Sequence, residues 1–254
     1  MNLENFVKFH SPKTTQINDS PRATGSESLT STDVMAAGGM VQSRATLGFS
    51  AFLGKMEISS NDREKAIELL TEYAMEQCDK VPALRKLETD IKLKVMQVLA
   101  TFAFADYSRS AASTRICDCC QGNKFVEAQV MTMKHIGRPN LEERRETVKV
   151  LCHKCKGKGV LTNACQCNGK GVVLDKEKTI LQGGVPAYKT CSRCNGRGYA
   201  RLLPDSVRKY ICATVMDIPE TTWRRSYKDF FESLVGECIK QEEYANRMLN
   251  KVTQ

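Results

Sequence analysis

Four short cysteine runs carry the most specific chemistry in this chain: Cys117-Asp118-Cys119-Cys120-Gln121-Gly122, Cys152-His153-Lys154-Cys155-Lys156-Gly157-Lys158-Gly159, Cys165-Gln166-Cys167-Asn168-Gly169-Lys170-Gly171 and Cys191-Ser192-Arg193-Cys194-Asn195-Gly196-Arg197-Gly198. Two thiolates separated by two residues sit on one tight turn and span one edge of a metal tetrahedron. The glycines that follow take up backbone angles closed to other residues and leave main-chain N–H groups facing sulfur. Two such knuckles complete a four-thiolate zinc site, so four knuckles predict two Zn2+ ions. Nesting suggests the pairing: Cys152, Cys155, Cys165 and Cys167 lie close in sequence and form an inner site. Cys117, Cys120, Cys191 and Cys194 then form an outer one. The third run departs from the pattern, with Ala164 where a two-residue spacing would want cysteine. In the first, Cys119 adjoins Cys120, and either can serve as the ligand. Closed coordination by four thiolates leaves no open position for catalysis. Such ions act structurally and can contribute on the order of 10 kcal/mol at pH 7.

The remaining titratable residues form no further constellation. Cys78, Cys212 and Cys238 fall on apolar faces of expected helices and read as core. His10, His135 and His153 are the only histidines; His153 lies inside a knuckle but is not needed as a ligand. No nucleophile–base pair, phosphate loop or carboxylate pair is apparent, so no enzyme is expected. No apolar run is long enough to span a membrane, and Met1-Asn2-Leu3-Glu4-Asn5-Phe6 lacks the features of a secretory signal. A cytoplasmic, reducing setting is expected, where cysteines in this pattern favour metal over disulfides.

The chain has 254 residues, 38 Lys+Arg against 29 Asp+Glu and a formal charge of +9. That excess is concentrated. Residues 115–201 hold seventeen basic and seven acidic side chains, net +10, and nine of the twelve cysteines. Basic surface around a metal knuckle is a candidate footprint for nucleic acid. Two bound Zn2+ with eight thiolates would lower the segment to about +6, counting −2 per site.

The elements that must position these residues read as follows. Residues 1–60, rich in Ser, Thr, Asn and Gly, are expected to be a flexible N-terminal segment, within which the more apolar residues 33–53 read either as a short helix or as a segment that orders on a partner. Residues 61–114 form a helical hairpin. Asn61 and Glu64 mark the first helix start, Lys80-Val81-Pro82 breaks it, and Leu87, Ile91, Val95, Leu99 and Phe102 line the second. Residues 115–201 are the cysteine-rich, zinc-binding region. Residues 202–254 hold a helix from Pro204, a turn at Asp217-Ile218-Pro219-Glu220, a helix opened by Thr221 and Thr222, and a C-terminal helix. The fold expected is mainly α, a small helical bundle with a helix-turn-helix, interrupted by a loop-rich zinc-binding insertion. Residues 202–254 should pack with 61–114 as one body. In a helix-turn-helix the second helix enters the major groove. That makes Thr221, Thr222, Arg224, Arg225 and Lys228 candidate DNA contacts, with Arg208 and Lys209 on the preceding helix against the backbone. Trp223 reads as core.

The repeated Cys-x-x-Cys-x-Gly-x-Gly pattern resembles the cysteine-rich domain of DnaJ-type co-chaperones, but their His-Pro-Asp tripeptide is absent. A second resemblance covers nearly the whole chain. Lys8-Phe9-His10-Ser11-Pro12-Lys13, Asp19-Ser20-Pro21-Arg22-Ala23-Thr24, Asp33-Val34-Met35-Ala36-Ala37, Val98-Leu99-Ala100-Thr101-Phe102-Ala103, Ala105-Asp106-Tyr107, Arg109-Ser110-Ala111-Ala112 and Thr222-Trp223 are similar to the late-gene antitermination protein Q family of lambda-type phages. The resemblance implies one zinc site, on ligands matching Cys117, Cys120, Cys191 and Cys194, and makes residues 125–185 look like an insertion. It also implies a protein that binds double-stranded DNA at a late promoter and engages paused host RNA polymerase with its sigma factor. Such a protein would travel with the enzyme around the RNA exit channel, in the host cytoplasm. The resemblance does not cover the insertion itself, whose basic residues, including Lys154, Lys156, Lys158 and Lys170, are candidate contacts for nascent RNA or polymerase-bound DNA. The alternatives are a DnaJ-like zinc-dependent chaperone module binding unfolded peptides and, more remotely, a thiol redox protein.

Overall fold

In a computed structural model the chain separates into two units, Met1–Ser108 with Leu202–Gln254, and Arg109–Arg201. The structure describes residues 1–10, 30–134 and 142–254. In chain order, α1 (Leu3–His10), α2 (Ser31–Arg44), α3 (Thr46–Lys55), α4 (Ser60–Cys78), the short α5 (Pro82–Arg85) and α6 (Thr89–Tyr107) come first. The second unit then holds β1 (Thr114–Ile116), β2 (Phe125–Lys134), β3 (Glu142–Leu151), β4 (Val160–Thr162), β5 (Val172–Leu174), α7 (Lys176–Leu181) and β6 (Tyr188–Thr190). The chain returns to the first unit with α8 (Pro204–Thr214), α9 (Glu220–Thr222), a π turn (Trp223–Tyr227) and α10 (Lys228–Val252).

The first unit is helical, as expected. Its α4 starts slightly before the Asn61 signal, because Ser59 is the residue that caps it: the Ser59 hydroxyl accepts the Asp62 N–H at 3.1 Å. The Asp62 carboxylate accepts a hydrogen bond at 3.0 Å from the buried Ser50 hydroxyl of α3. Between α4, α6, α8 and α10, Leu70, Leu99, Ile211, Ile218, Phe231 and Leu234 are shut off from water. Each such side chain contributes about 1.5–3 kcal/mol on leaving water.

The N-terminal segment departs from expectation in its extent of order: the helix that residues 33–53 allowed is present as two helices packed on the bundle. Residues 30–55 are not a loose tail but α2 and α3, which with α1 pack on the C-terminal half of α10 through Leu3, Val41, Phe49, Phe52, Ala245 and Leu249. Thr30 and Asp33 close a reciprocal capping box at the start of α2. The Gly and Ala content that suggests flexibility instead permits close approach. A Cβ on Gly48 would lie 1.9 Å from the Gln241 carbonyl oxygen of α10. Residues 11–29, also in the expected flexible segment, lie outside the described residues. Where α3, α6 and α10 meet, Glu242 receives the Lys55 ammonium at 2.9 Å and the Tyr107 hydroxyl at 2.7 Å. Burial, and then the Glu242 charge, drive the Tyr107 phenol well above its usual range.

The C-terminal region is also more continuous than the sequence predicts. From Glu220 the chain runs without a break to Val252, so the helix opened near Thr221 and the C-terminal helix are one element. A π turn interrupts its regularity at Trp223–Tyr227, where Trp223 and Tyr227 are buried and stacked with ring centroids 5.9 Å apart.

The second unit is richer in strands than a loop-rich insertion. Among the described residues, three two-stranded antiparallel sheets pair β1 with β4, β2 with β3 and β5 with β6. The longest is a hairpin of two ten-residue strands in the register Phe125↔Leu151 to Lys134↔Glu142. Among the described residues of this unit the buried side chains are mostly cysteines, with Asn163 and Asp175.

Candidate metal centres and DNA-contact face

Both hairpins end on cysteine knuckles, and this determines which knuckles meet. The β2–β3 hairpin begins just after Lys124 and ends just before Cys152, whose N–H donates to the Lys124 carbonyl at 3.0 Å. It therefore places the first and second knuckles side by side. The β5–β6 hairpin does the same for the third and fourth: Val172 pairs with Thr190, and the Cys191 N–H donates to the Gly171 carbonyl at 2.8 Å. Each pair closes reciprocally, with Cys117 N–H on Gly159 O at 2.9 Å and Cys165 N–H on Gly198 O at 2.8 Å.

The eight predicted ligands form two groups, Cys117, Cys120, Cys152 and Cys155, and Cys165, Cys167, Cys191 and Cys194. This corrects the nested pairing. Neither Cys117 and Cys120 with Cys191 and Cys194, nor Cys152 and Cys155 with Cys165 and Cys167, forms a cluster. Sequence proximity suggested nesting, but strand pairing across each hairpin brings knuckles together more directly. The alternating Val126, Ala128, Val130 and Val148, Val150, around Gly137-Arg138-Pro139-Asn140, was the available signal.

The geometry suits a tetrahedral ion. Sulfurs are 3.8 Å apart in Cys117–Cys152, 3.6 Å in Cys120–Cys155, 3.9 Å in Cys165–Cys191 and 3.8 Å in Cys167–Cys194. A zinc–sulfur bond near 2.3 Å gives a tetrahedron edge of about 3.8 Å. Backbone N–H groups of Gly159, Gly171 and Gly198 reach Cys155, Cys167 and Cys194 sulfur at 3.3 Å each. Gly171 and Gly198 have positive φ, and a Cβ on either would lie 2.1 or 2.3 Å from the facing Gly196 or Gly169 carbonyl oxygen. The first knuckle carries Lys124 at the corresponding position, with φ +68°.

In the first and fourth knuckles the two thiols are shifted in opposite directions. The N–H of Cys120 pulls the Cys117 thiol below its usual range, and that of Cys155 does so for Cys152. Cys191 is drawn down to about 7 by the N–H groups of Cys194 and Arg193. Burial instead pushes Cys120 up to about 11 and raises Cys194. A cation at the centre favours the thiolate of all four, and binding it releases protons.

Cys119 is exposed and outside the cluster, and Cys120 is the residue placed within it. His153 is exposed and joins neither group; His135 lies outside the described residues. Cys78 and Cys238 are buried in the first unit, and burial pushes the Cys238 thiol up to about 12. Cys212 is half-buried and bridges to Ile218, whose N–H it accepts at 3.4 Å. Between the clusters, buried Asn163 donates N–H to Ser113 O and accepts from the Ala200 N–H, each at 3.0 Å.

The candidate DNA contacts all lie on the first unit; four of them, Arg208, Lys209, Arg224 and Lys228, line a cleft of about 580 Å³ with Asp205, Glu220 and Trp223, whereas Thr221, Thr222 and Arg225 do not line it. Most of the cations there face carboxylates. Arg208 donates to Asp205 at 3.2 Å and to Ile218 O at 3.3 Å, and Lys209 lies 3.3 Å from Asp205. These bonds hold the Asp205 carboxyl below its usual range, Arg208 first and Lys209 second. Arg224 pairs with Glu220, and Lys228 lies 3.9 Å from Glu232. Arg225 is exposed and makes no ion pair among the described residues. Thr221 is exposed and Thr222 half-buried. Pattern reading did not find the π turn, which carries Arg224 and Arg225; such turns recur at functional sites.

The family profile described as antitermination protein Q matches residues 23–111 and 159–246. The second cysteine cluster lies wholly inside the match, whereas Cys117, Cys120, Cys152, Cys155 and the long hairpin fall between its two parts. The prophage antitermination protein Q homologue QuuQ of Escherichia coli (strain K12) is 44% identical over 255 residues, covering 100% of both chains. Antitermination protein Q of Salmonella phage P22 and that of Escherichia phage lambda are each 38% identical over 254 residues, again covering 100% of both chains. With agreement of this extent on both sides of the hairpin, the chain belongs to the antitermination protein Q family.

Proposed function

We propose that this chain is a phage transcription antitermination factor that binds double-stranded DNA at a late promoter and joins paused host RNA polymerase near the RNA exit channel. Full-length similarity to proteins named antitermination protein Q carries this reading. Termination needs an RNA hairpin to form at the exit. A protein that narrows or extends the exit leaves no room for the stem and so permits read-through. This requires binding surfaces rather than bond chemistry, in keeping with two closed four-sulfur clusters. Zn2+ is the proposed ion at both: tetrahedral sulfur donors favour it, and its part is to hold the fold. The place of action is the host cytoplasm; among the described residues no helix is long and apolar enough to cross a membrane.

In this reading α8 and the helix beginning at Glu220 act as a helix-turn-helix. Arg225, unpaired among the described residues, contacts bases; Thr221 and Thr222 meet the phosphate backbone. Arg208, Lys209, Arg224 and Lys228 exchange their carboxylate partners for phosphates, a small loss because exposed ion pairs contribute only about 0–1 kcal/mol. Transcription in vitro through a terminator downstream of the late promoter, with and without the protein, tests the function. Read-through is expected; unchanged termination would refute it. Footprinting with Arg224→Ala/Arg225→Ala tests the DNA face, where loss of protection without unfolding is expected.

A second reading, the peptide-binding zinc module, draws on the apolar side chains Ile180 and Leu181, which are 78% and 85% exposed. It predicts suppression of aggregation without read-through. The absence of a His-Pro-Asp tripeptide from the sequence weighs against it.

A further inference from the structure

At the foot of the long hairpin an exposed apolar pair is ringed by lysines. Phe125 and Leu151 are paired across the strands and share a face, and they are 48% and 60% exposed. Lys149 follows on the same face, two residues before Leu151 and opposite Glu127. Leu151 also covers the second knuckle: a Cβ on Gly157 would lie 2.7 Å from Leu151 Cδ2, and the exposed Lys156 and Lys158 flank Gly157 in the chain. Lys124 adjoins Phe125 in the chain, and its Cγ would lie 3.2 Å from a Cβ on Gly159, next to Lys158. Lys124, Lys149, Lys156 and Lys158 make no ion pair among the described residues, whereas the nearby Lys154 is engaged by Asp118. An open cleft of about 470 Å³ lined by Asn123, Phe125, Val126, Glu127 and Lys149 lies alongside.

We propose that this face of the first cysteine module binds single-stranded nucleic acid, with a base stacked on Phe125 and the backbone held by Lys124, Lys149, Lys156 and Lys158. Aromatic rings set in a cationic groove are the usual means of holding an unpaired strand, because every base offers a π face and every phosphate a charge. Asn123 supplies donors and an acceptor for a base edge. The hairpin is held at its foot by the cluster below it, so the ring and the lysines are presented on a fixed base. A duplex, whose bases are already stacked, has no use for Phe125. The site is distinct from the candidate DNA face and does not depend on it.

The test is fluorescence anisotropy with the metal-loaded full chain and labelled oligo(U) and oligo(dT) of roughly twelve nucleotides, at about 50 mM salt. Binding is expected to weaken about tenfold in Phe125→Ala and to persist in Phe125→Tyr. Lys156→Ala/Lys158→Ala should flatten the dependence of log K on log salt by about 1.4. Metal content and circular dichroism should match the parent in each variant, which separates loss of binding from loss of fold. Arg224→Ala/Arg225→Ala should bind both oligonucleotides as the parent does, so failure of the DNA-face reading leaves this proposal standing. Preference for oligo(U) assigns the strand as RNA, preference for oligo(dT) as an unwound DNA strand, and either supports the site. No binding, binding indifferent to Phe125→Ala, or equal competition by polyglutamate would overturn it.

Discussion

In the first unit Leu70, Leu99, Ile211, Phe231 and Leu234 are withdrawn from water between four helices. In the second, most buried positions are cysteines, and Ile116, Phe125, Leu151, Ile180, Leu181 and Tyr188 are left exposed. The first can be stable on burial alone. The second folds back on itself through two-stranded sheets alone among the described residues, and a lone two-stranded hairpin is marginal in water. Its order must therefore come from whatever joins the sulfurs. One chain thus contains one body made by the hydrophobic effect and one whose buried positions are mostly the sulfurs of two four-cysteine groups that could hold a metal ion. The exposed apolar and basic side chains of the second can then serve binding, since they are not needed for a core.

The largest separation between the units should come from metal removal. A strong chelator, or acidification that returns protons to the eight thiols, should remove on the order of 10 kcal/mol per site and unfold residues 109–201. Helical circular dichroism from the first unit should survive; its simultaneous loss would break the comparison. In the opposite direction, Phe231→Ala opens a cavity in the first unit and should cost about 3–5 kcal/mol there. Metal content should be unchanged, as measured by metal analysis beside denaturant unfolding. Gly171→Ala should damage the second cluster, because the new methyl meets the Gly196 carbonyl and the backbone must leave positive φ. A loss of about 1–3 kcal/mol of apparent stability is expected, read as earlier metal release in a chelator titration.

The smallest effect concerns Tyr107. Its pKa is raised in the fold, so its contribution is fully present below the unfolded value near 10 and is lost as pH rises through the folded value. Stability of the first unit should therefore fall above about pH 10 in the parent. Tyr107→Phe should lack that dependence and cost about 1 kcal/mol at neutral pH through the lost bond to Glu242.

Much of the first unit was legible in the sequence. Apolar spacing in 61–107 marks α4 and α6, and Pro82 and Pro219 mark real boundaries. The packing of α2 and α3 was not, because Gly48 and the alanines signal nothing until the facing Gln241 backbone is known. The π turn was equally invisible: a one-residue widening leaves the apolar pattern of Trp223, Tyr227 and Phe230 almost unchanged. In the second unit the eight sulfurs in the clusters were readable from their spacing, but their partners were not. Pairing is a property of the hairpins, and a nested reading ignores the strand register that carries Lys124 to Cys152 and Gly171 to Cys191. Cys119 and Cys120 differ only in which way the turn aims them, and spacing does not encode that.

Zinc content of the double variant Cys117→Ser/Cys152→Ser tests the coordination account most directly. With adjacent pairing both changes fall in one cluster, so the parent should hold two Zn2+ per chain and the variant one, on Cys165, Cys167, Cys191 and Cys194. A variant that holds none, with each single change removing a different ion, would contradict the account and restore the nested arrangement.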